Sequence, residues 1–446
     1  MRDPSLTFLG GVHEIGGNKI LVEDGDDRLL FDFGPSFSDR FEQFYLNFLQ
    51  PRSTSPVKDL LEFDLLPRVD GLYSEEALYG ADLKYRPPEV HGIFVSHAHL
   101  DHAGHLDLVD PSIPVHVGAG TKHLLDAIEG SGSRKYGDHD WRVVEDRRRV
   151  KVGSVEVVPF PVDHSIPAAY AFLIHTSEGC IAYTGDFRLH GPRAAQTVAF
   201  LEAARAERPI ALVMEGTRAG PDPRPNFTEQ GVREKVDGLL LRSRRPAFVS
   251  CYPRDVDRLT TLYRAAREAE RQFVVPLRTA HLLATIAPDL GPEAPVPGRS
   301  EGLKVYRRTK KVYYKWERPF LDDGVDADWV RHHPSDVLLS LDLPHFAELI
   351  DLQPPKGSPF IHSMSEPFSE DDLDDAVQRN WLEHFGLVRH ALHASGHCSG
   401  PELHAVARKI APQAVVPVHT EHPEAFEGAG VPVRAPVKGK RMPLRP

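Results

Sequence analysis

The stretch SHAHLDHAGH, residues 96–105, places four histidines and an aspartate in ten positions. Imidazole nitrogens and carboxylate oxygens are the donors that zinc and its first-row neighbours accept, at about 2.0–2.2 Å. His97 and His99 stand two apart at the end of an apolar run, so both rings can project from one tight loop. Asp101 and His102 follow as the chain enters AGHLDLV, which reads as helical. Four donors from so few residues crowd one small cation; two adjacent sites use them better. His105, three residues further on, falls on the following helix and reads as a neighbour of the site, not a ligand.

Two sites need more ligands than one loop supplies, and strand ends downstream offer them. His164 in VPFPVDHSIPAAY and Asp186 in YTGDF both stand where an apolar run gives way to polar residues. A shared Asp186 carboxylate would bridge two cations about 3.5–4 Å apart, the spacing of two-metal hydrolases. The bland alternative, surface histidines beside a helix, leaves His164 and Asp186 unexplained.

Buried strands must carry these residues. HGIFVSH, residues 91–97, is a short apolar strand that runs directly into the cluster. Before it, SLTFLGG, NKILVED and RLLFDFG read as strands, the last two joined by a hairpin at Asp24-Gly25-Asp26-Asp27. After it come PVHVG, VEVVPFP, AYAFLIH, GCIAYTG and IALVME. Residues 36–88 are proline-rich and aromatic without steady periodicity, a long excursion with short helices expected around FEQFYLNFL and KDLLEFDLL. From residue 217 the texture changes. A helix over TEQGVREKVDGLLLRS puts Val232, Val236, Leu239 and Leu240 on one face, with Thr228 as its N-cap. PAFVSCY, the helical RDVDRLTTLYRAAREAE and RQFVVPL then alternate strand, helix and strand, which implies a parallel α/β layer. DVLLSLDL and SPFIHS follow, before HALHASGHCSG and AVVPVHTEH restore the histidine-rich texture.

At 446 residues the chain exceeds the size at which one core stops growing, so two domains are expected. With 41% hydrophobic and 26% charged residues it has an ordinary globular composition, and no apolar run of membrane-spanning length occurs. MRDPSLTFLGG lacks the apolar stretch of a secretion signal. Three widely spaced cysteines, Cys180, Cys251 and Cys398, argue against a disulfide framework and fit a reducing cytoplasm. The net charge of −11 leaves nucleic-acid binding to local basic patches.

HAHLDH, followed by His164 and by TGD ending at Asp186, resembles the metallo-β-lactamase superfamily. GGVHEIGGNKILVEDGDDRLLFDFG resembles the opening of its ribonuclease J-type members, which implies that Asp32 supports the histidine loop and binds no metal. The resemblance extends over nearly the whole chain to the β-CASP nucleases, in which a second α/β domain interrupts the first and three later motifs mark the cleft. VMEGT places Glu215 at the first motif, ASGHCSG places His397 at the second and VVPVHTE places His419 at the third. Each has a plainer reading: Glu215 as a cap of the insertion, His419 as a satisfied core residue, His397 as part of a helix start. At that start Ser399 can cap and Pro401 suits the first turn, and free backbone N–H groups would also meet a phosphate. A histidine at 419 resembles the RNA-acting branch of the family; the DNA-acting branch carries an apolar residue there.

Basic residues add a weaker signal. YRRTKKVYYKWER, residues 306–318, interleaves Arg307, Arg308, Lys310, Lys311, Lys315 and Arg318 with three tyrosines and Trp316. Such a segment can neutralise phosphates while its rings stack on unpaired bases, or be a solvated amphipathic strand. The tail after Glu427, with Arg434, Lys438, Lys440, Arg441 and Arg445, is expected to do the same or to fray. The acidic run at 369–376 reads as a solvated helix start. IHSMSEPFSE, residues 361–370, departs from the Ser/Gly-rich stretch with which the family recognises a 5′-monophosphate, so polarity of cleavage is not implied.

The resemblance therefore implies a four-layer αββα metallo-β-lactamase domain, residues 1–216 with 391–446, interrupted by an α/β β-CASP domain at 217–390. It implies two zinc ions per chain, with manganese as a substitute. His97, His99 and His164 would hold one and Asp101, His102 and His419 the other, with Asp186 bridging. The implied reaction is hydrolysis of RNA phosphodiester bonds, exo- or endonucleolytic, in RNA processing or decay. Hydroxide generated between the metals would attack phosphorus and leave 5′-phosphate and 3′-hydroxyl ends. Asp101, His397 and Glu215 are the expected catalytic residues: His397 neutralises growing charge, and Glu215 positions a water that protonates the leaving oxygen. Arg307, Arg308, Lys310, Lys311 and Ser399 are the expected RNA contacts. Single-stranded RNA is the expected partner, the cytoplasm the expected compartment, and no membrane is involved. Homo-oligomerisation stays open, the short stretch after His419 leaving no room for the domain that relatives use to dimerise. The alternatives are a DNA nuclease of the same family, a thioesterase or lactonase on the same two-metal site, and a non-catalytic RNA-binding subunit. The insertion and the later motifs speak against the second, and the complete ligand set against the third.

Overall fold

A computed structural model describes residues 3–37, 41, 43–45, 48–221, 227–365 and 372–444. Strands β1 (Ser5–Gly10), β2 (Lys19–Asp24) and β3 (Asp27–Phe31) form an antiparallel meander, with Asp24 opposite Asp27 across the expected hairpin. The excursion follows and contains α1 (Pro56–Glu62). Strands β4 (Gly92–Val95), β5 (Val115–Gly118) and β6 (Trp141–Val144) then extend the sheet in parallel from β3, with α2 (Leu100–Ala103) after β4 and α3 (Ala119–Gly130) after β5. A second sheet is built from β7 (Val150–Val152), β8 (Val155–Val162), β9 (Ala169–Thr176), β10 (Gly179–Tyr183) and β11 (Ala211–Glu215), with α4 (Ala194–Glu207) between the last two.

The chain next makes a third sheet. Its strands are β12 (Ala247–Cys251), β13 (Gln272–Pro276), β14 (Leu303–Tyr306), β15 (Gly324–Val325), β16 (Val337–Ser340), β17 (Pro359–Ser363) and β18 (Val388–Ala391). They lie in the order β15-β14-β13-β16-β12-β17-β18, and every neighbouring pair is parallel. Helices α5 (Glu229–Arg242), α6 (Val256–Glu268), α7 (Leu277–Thr285) and α8 (Leu373–His384) connect and flank them. Helix α9 (Gly400–Ile410) then leads back to β19 (Val415–Val418) on the free edge of β11, and β20 (Arg441–Pro443) pairs with β1.

Side-chain alternation explains the layering. On β4, Ile93 and Val95 face the helices of the first sheet, whereas Phe94 faces the second sheet and stacks on Phe31 with centroids 5.3 Å apart. The layer between the sheets is filled by Leu6, Phe8, Val22, Phe172, Tyr183 and Val213, among others. Helices α4 and α9 cover the far face of the second sheet through Phe200, Leu201, Leu403 and Val406. Helix, sheet, sheet, helix is the expected αββα order, with a further α/β sheet. The excursion supplies Tyr45, Val57, Leu60, Leu72 and Tyr73 to the core over the first sheet, so part of its apolar content is packing, while Phe48 and Tyr79 among others stay exposed.

Other expectations resolve individually. Thr228 caps α5, accepting a hydrogen bond from the Gly231 amide. The proposed helix over FEQFYLNFL lies partly outside the described residues, as do 366–370 of IHSMSEPFSE and 369–371 of the acidic run, after which Asp372 caps α8. The basic tail is not frayed. β20 holds it to β1, and Arg434 donates to the Pro443 carbonyl at 2.8 Å; Arg445 lies outside the described residues. The three cysteines are free and buried. No helix among the described residues is long and apolar enough to cross a membrane.

Candidate metal centre

Strands β3, β4, β8, β10, β11 and β19 deliver Asp32, His97, His164, Asp186, Glu215 and His419 from their carboxyl ends to one edge of the sandwich. Ligand sites of layered α/β proteins commonly lie outside such ends. Two turns there are strained. Asp32 and His419 have φ of 59° and 54°, in the left-handed region that L side chains rarely occupy, and strain of this kind persists where surroundings over-determine it. Gly34 lets the histidine loop approach: a Cβ there would meet the backbone carbonyl carbon of Asp101 at 2.1 Å.

The structure brings all seven expected ligands together in two abutting groups, His97, His99, His164 and Asp186, and Asp101, His102, His419 and Asp186. In the first, His99 Nδ1 lies 3.0 Å from His97 Nε2 and 3.1 Å from His164 Nε2, and Asp186 Oδ2 lies 3.8 and 3.9 Å from the same two nitrogens. In the second, His419 Nε2 is 2.9 Å from Asp101 Oδ2, and His102 Nε2 is 3.5 Å from it. Asp186 Oδ2 lies 3.2 Å from His102 Nε2 and 3.6 Å from His419 Nε2. Donors about 2.0–2.1 Å from a tetrahedral cation stand about 3.3–3.4 Å from one another, so both groups have the size a zinc-like ion requires. One oxygen, Asp186 Oδ2, belongs to both.

The outer hydrogen bonds aim bare nitrogens inward. Asp32 Oδ2 accepts from His102 Nδ1 at 2.9 Å, from Ser96 Oγ at 2.8 Å and from the Tyr183 hydroxyl at 2.6 Å, while Oδ1 accepts from the Ser96 amide. With Ser96 Oγ donating to Asp32, it accepts from His97 Nδ1 at 3.0 Å. His164 Nδ1 donates to the Gly396 carbonyl at 2.7 Å. These assignments, read from the network, leave Nε2 of all three rings as lone pairs. His102 Nε2 and Asp186 Oδ1 are buried with no hydrogen-bond partner among the described residues. Converging lone pairs without a donor are what a cation satisfies, so the residues fit a metal pair.

Electrostatics agree. Burial lowers His99 to about 4 and holds His97 and His164 well below the usual imidazole range, so the first group is neutral nitrogen. His419 is raised to about 9: burial opposes its charge, but Asp186 and the Asp101 hydrogen bond outweigh it. His102 is raised for the same reasons, with Asp186, Asp101 and Asp32 overcoming burial. Without a cation, protons on His102 and His419 would take its place in the second group, and a bound metal would displace them to leave the lone pairs described above.

Behind His419 lies a relay. The Thr217 hydroxyl donates to Glu215 Oε2 at 2.9 Å and accepts from His419 Nδ1 at 2.8 Å. Glu215 Oε1 accepts from His397 Nδ1 at 3.0 Å, and Oε2 also accepts from the Thr217 amide at 2.9 Å. Glu215 is fully buried with both oxygens occupied, whereas the His397 side chain stays 20% exposed, 5.0 Å ring to ring from His164. His105 packs against Phe33 outside both groups. Ser399 starts α9 with its amide and hydroxyl on Glu402, so its polar atoms are engaged in the cap. In the 306–318 segment, Arg307 meets Asp326, Lys310 meets Glu317 at 2.5 Å and Arg308 reaches Glu348 only at 4.0 Å, so part of its charge is neutralised inside the fold.

Sequence reading missed Ser96, Tyr183 and Thr217, which carry no motif of their own. It also missed Lys19, whose buried Nζ donates to the Gly17 and Gly34 carbonyls and ties the glycine-rich opening to the turn under Asp101. Burial lowers Lys19 to about 8. A signal did exist, a lysine inside the otherwise apolar NKILVED.

This edge and this fold resemble those of the metallo-β-lactamase superfamily. Residues 69–234 match the family described as the beta-lactamase superfamily domain. Within it the chain is ribonuclease J-like, with β-CASP character. It is 26% identical to ribonuclease J of Thermus thermophilus over 93% of this chain and 67% of the relative. It is 25% identical to ribonuclease J of Sinorhizobium meliloti (97% and 72%) and 23% identical to ribonuclease J 2 of Streptococcus pyogenes (95% and 70%). A crystal structure of a protein of unknown function from Enterococcus faecalis superposes with a TM-score of 0.82 at 26% identity, covering 99% of this chain and all of that one.

Proposed function

We propose that this chain is a metal-dependent ribonuclease that hydrolyses phosphodiester bonds of single-stranded RNA in RNA processing or decay. The observation that carries the reading is a pair of donor groups sharing one oxygen, Asp186 Oδ2, with a partly exposed histidine, His397, beside them. The ribonuclease J relatives along the whole chain support RNA as substrate. In the finer reading the chain takes two zinc ions, with manganese as substitute. His97, His99 and His164 would hold one and Asp101, His102 and His419 the other, with Asp186 within reach of both. We assign residues 1–216 and 391–446 to the metallo-β-lactamase domain, 217–390 to the β-CASP domain, and the protein to the cytoplasm.

A bound cation pair supplies a water deprotonated near neutral pH and a clamp on phosphoryl oxygens. The chain's residues do the rest. Asp32, Ser96 and Gly396 hold His102, His97 and His164 in single tautomers, so no reorganisation is needed when substrate arrives. His397, its Nδ1 committed to Glu215, presents Nε2 to the phosphoryl oxygens and the leaving 3′-oxygen. Glu215 has no free oxygen for the water first expected there, so it acts as a positioning residue for His397 and His419. The products carry a 5′-phosphate and a 3′-hydroxyl.

The test is one sequence supplied as 5′-phosphorylated RNA, 5′-hydroxyl RNA and DNA, labelled at the 3′ end, with zinc or manganese present. Shortening of the RNAs alone supports the reading, and the product ladder with its dependence on the 5′ group gives exo- or endonuclease action. Cleavage of DNA with equal efficiency, or of none, would overturn it.

A further inference from the structure

All strands of the third sheet are parallel, so the residues that follow them share one edge. In spatial order that edge carries Arg308 after β14, Arg278 after β13, His345 after β16, Arg254 after β12, Ser363 at the end of β17 and His393 after β18. The β18 end leads directly to Ser395 and Gly396, whose carbonyl holds His164. The metal centre therefore sits at one end of this edge and a row of arginines runs from it.

Arg254 is the arginine of this row nearest the metal centre. Its charge is felt at the His99 ring and at the fully buried Tyr136, whose hydroxyl has no hydrogen-bond partner among the described residues. Arg134, after α3, approaches from the first sheet's side, donating to the Gly104 carbonyl behind the histidine loop. No carboxylate among the described residues pairs with Arg254 or Arg278. Asp255, next in the chain, is turned to the cap of α6, accepting from the Arg258 amide. Burial, then the neighbouring Arg134 and Arg278, push the Arg254 guanidinium down from its usual range. A half-buried cation beside two others is costly without an anion. Arg278 is exposed, and among the described residues Arg308 has only the loose Glu348 pairing at 4.0 Å.

We infer that this edge is the backbone track of the RNA strand, a reading that rests on the proposed ribonuclease activity. Arg254 takes the phosphate next to the scissile one, and Arg278 and Arg308 take phosphates farther out. The β12 and β14 ends are three strand spacings apart, about 14 Å, a reach of several nucleotides and too long for a single small ester. Tyr252, 41% exposed beside Arg254, offers a ring face to an unpaired base. The track thus enlists only Arg308 from the 306–318 segment, whose Lys310 is already neutralised.

Binding measured against salt tests the track. The probe is a short single-stranded phosphorothioate oligoribonucleotide labelled with fluorescein at its 3′ end, read by anisotropy on the metal-loaded full chain. Each phosphate that the protein no longer neutralises should flatten the slope of log Kd against log salt by about 0.7. Arg254→Ala and Arg278→Ala should each show that change with several-fold weaker binding, and the double variant about twice the change. Lys151→Ala, on edge strand β7, should bind like the parent. Parental slopes in both arginine variants would overturn the track alone. Failure of the parent protein to bind the probe would overturn the ribonuclease reading with it.

Discussion

Replacing Thr217 by valine removes one hydroxyl and almost no volume, yet it should weaken one of the two proposed metal sites and spare the other. The hydroxyl is the acceptor for His419 Nδ1 at 2.8 Å and a donor to Glu215 Oε2. Glu215 keeps the Thr217 amide and His397, so the carboxylate loses only part of its shell. His419 Nδ1 loses its hydrogen-bond partner in a buried position, which costs about 1–3 kcal/mol. At 1.4 kcal/mol per tenfold this is about 5–150-fold in affinity, in line with the 10–100-fold effect of losing an outer hydrogen bond to a ligating histidine. The first group, backed by Ser96 and Gly396, is untouched. Competition with a chromophoric chelator should therefore give one zinc dissociation constant as in the parent and one weakened, with RNA cleavage falling by a similar factor at limiting zinc. Thr217→Ser, which keeps the hydroxyl, should restore both. Two parental constants, or equal weakening of both, would refute the relay.

Two further outcomes follow from the same network. Asp32→Ala removes the shared acceptor of Ser96, His102 and Tyr183, leaving several buried donors unpaired, and should lower unfolding stability by about 3 kcal/mol or more. Denaturant melts of stripped protein would show it, and a parental midpoint would contradict the account. In stripped protein His419 is raised to about 9 from 6.5, so its stabilisation is complete below 6.5 and is lost as pH rises through 9. His99, lowered to about 4, acts oppositely, its cost growing as pH falls from 6.5 toward 4. Metal-free stability should therefore peak near pH 6.5, and zinc affinity should rise toward pH 9 as protons leave His419. Melting temperature against pH, with and without zinc, checks both; a flat profile in stripped protein would contradict them.

The ligands were legible because their chemistry is local. His97, His164, Asp186 and His419 stand at the ends of recognisable apolar strands and His99, Asp101 and His102 follow in the same short motif, so a strand end that turns polar announces them. The layered fold was legible for a related reason, since period-two alternation on β3 and β4 and the strand–helix rhythm after residue 217 both survive in a single sequence. Thr217, Ser96 and Tyr183 were not legible. Their roles exist only because distant chain segments meet: Tyr183 reaches Asp32 across 151 positions and Thr217 reaches His419 across 202. Glu215 was found, but the engagement of both its carboxylate oxygens was not legible, because it depends on the Thr217 turn and on the segment before α9 bringing His397 over it. In the basic run at 306–318 the ion pairs were likewise out of sight. Composition shows its cations, while their partners Asp326, Glu348 and Glu317 become visible only on folding. The arginines after β12 and β13 look ordinary in sequence and become a row only when parallel strands align their ends.

The central claim is that two cations held by groups sharing Asp186 make this chain a ribonuclease. The most direct measurement is RNA cleavage by stripped protein as zinc is added back in known equivalents, with Asp101→Ala beside it. The account predicts little cleavage at one equivalent, full cleavage as the second is bound, and none in Asp101→Ala, which retains the first site. Full cleavage without metal, or by Asp101→Ala at two equivalents, would contradict it.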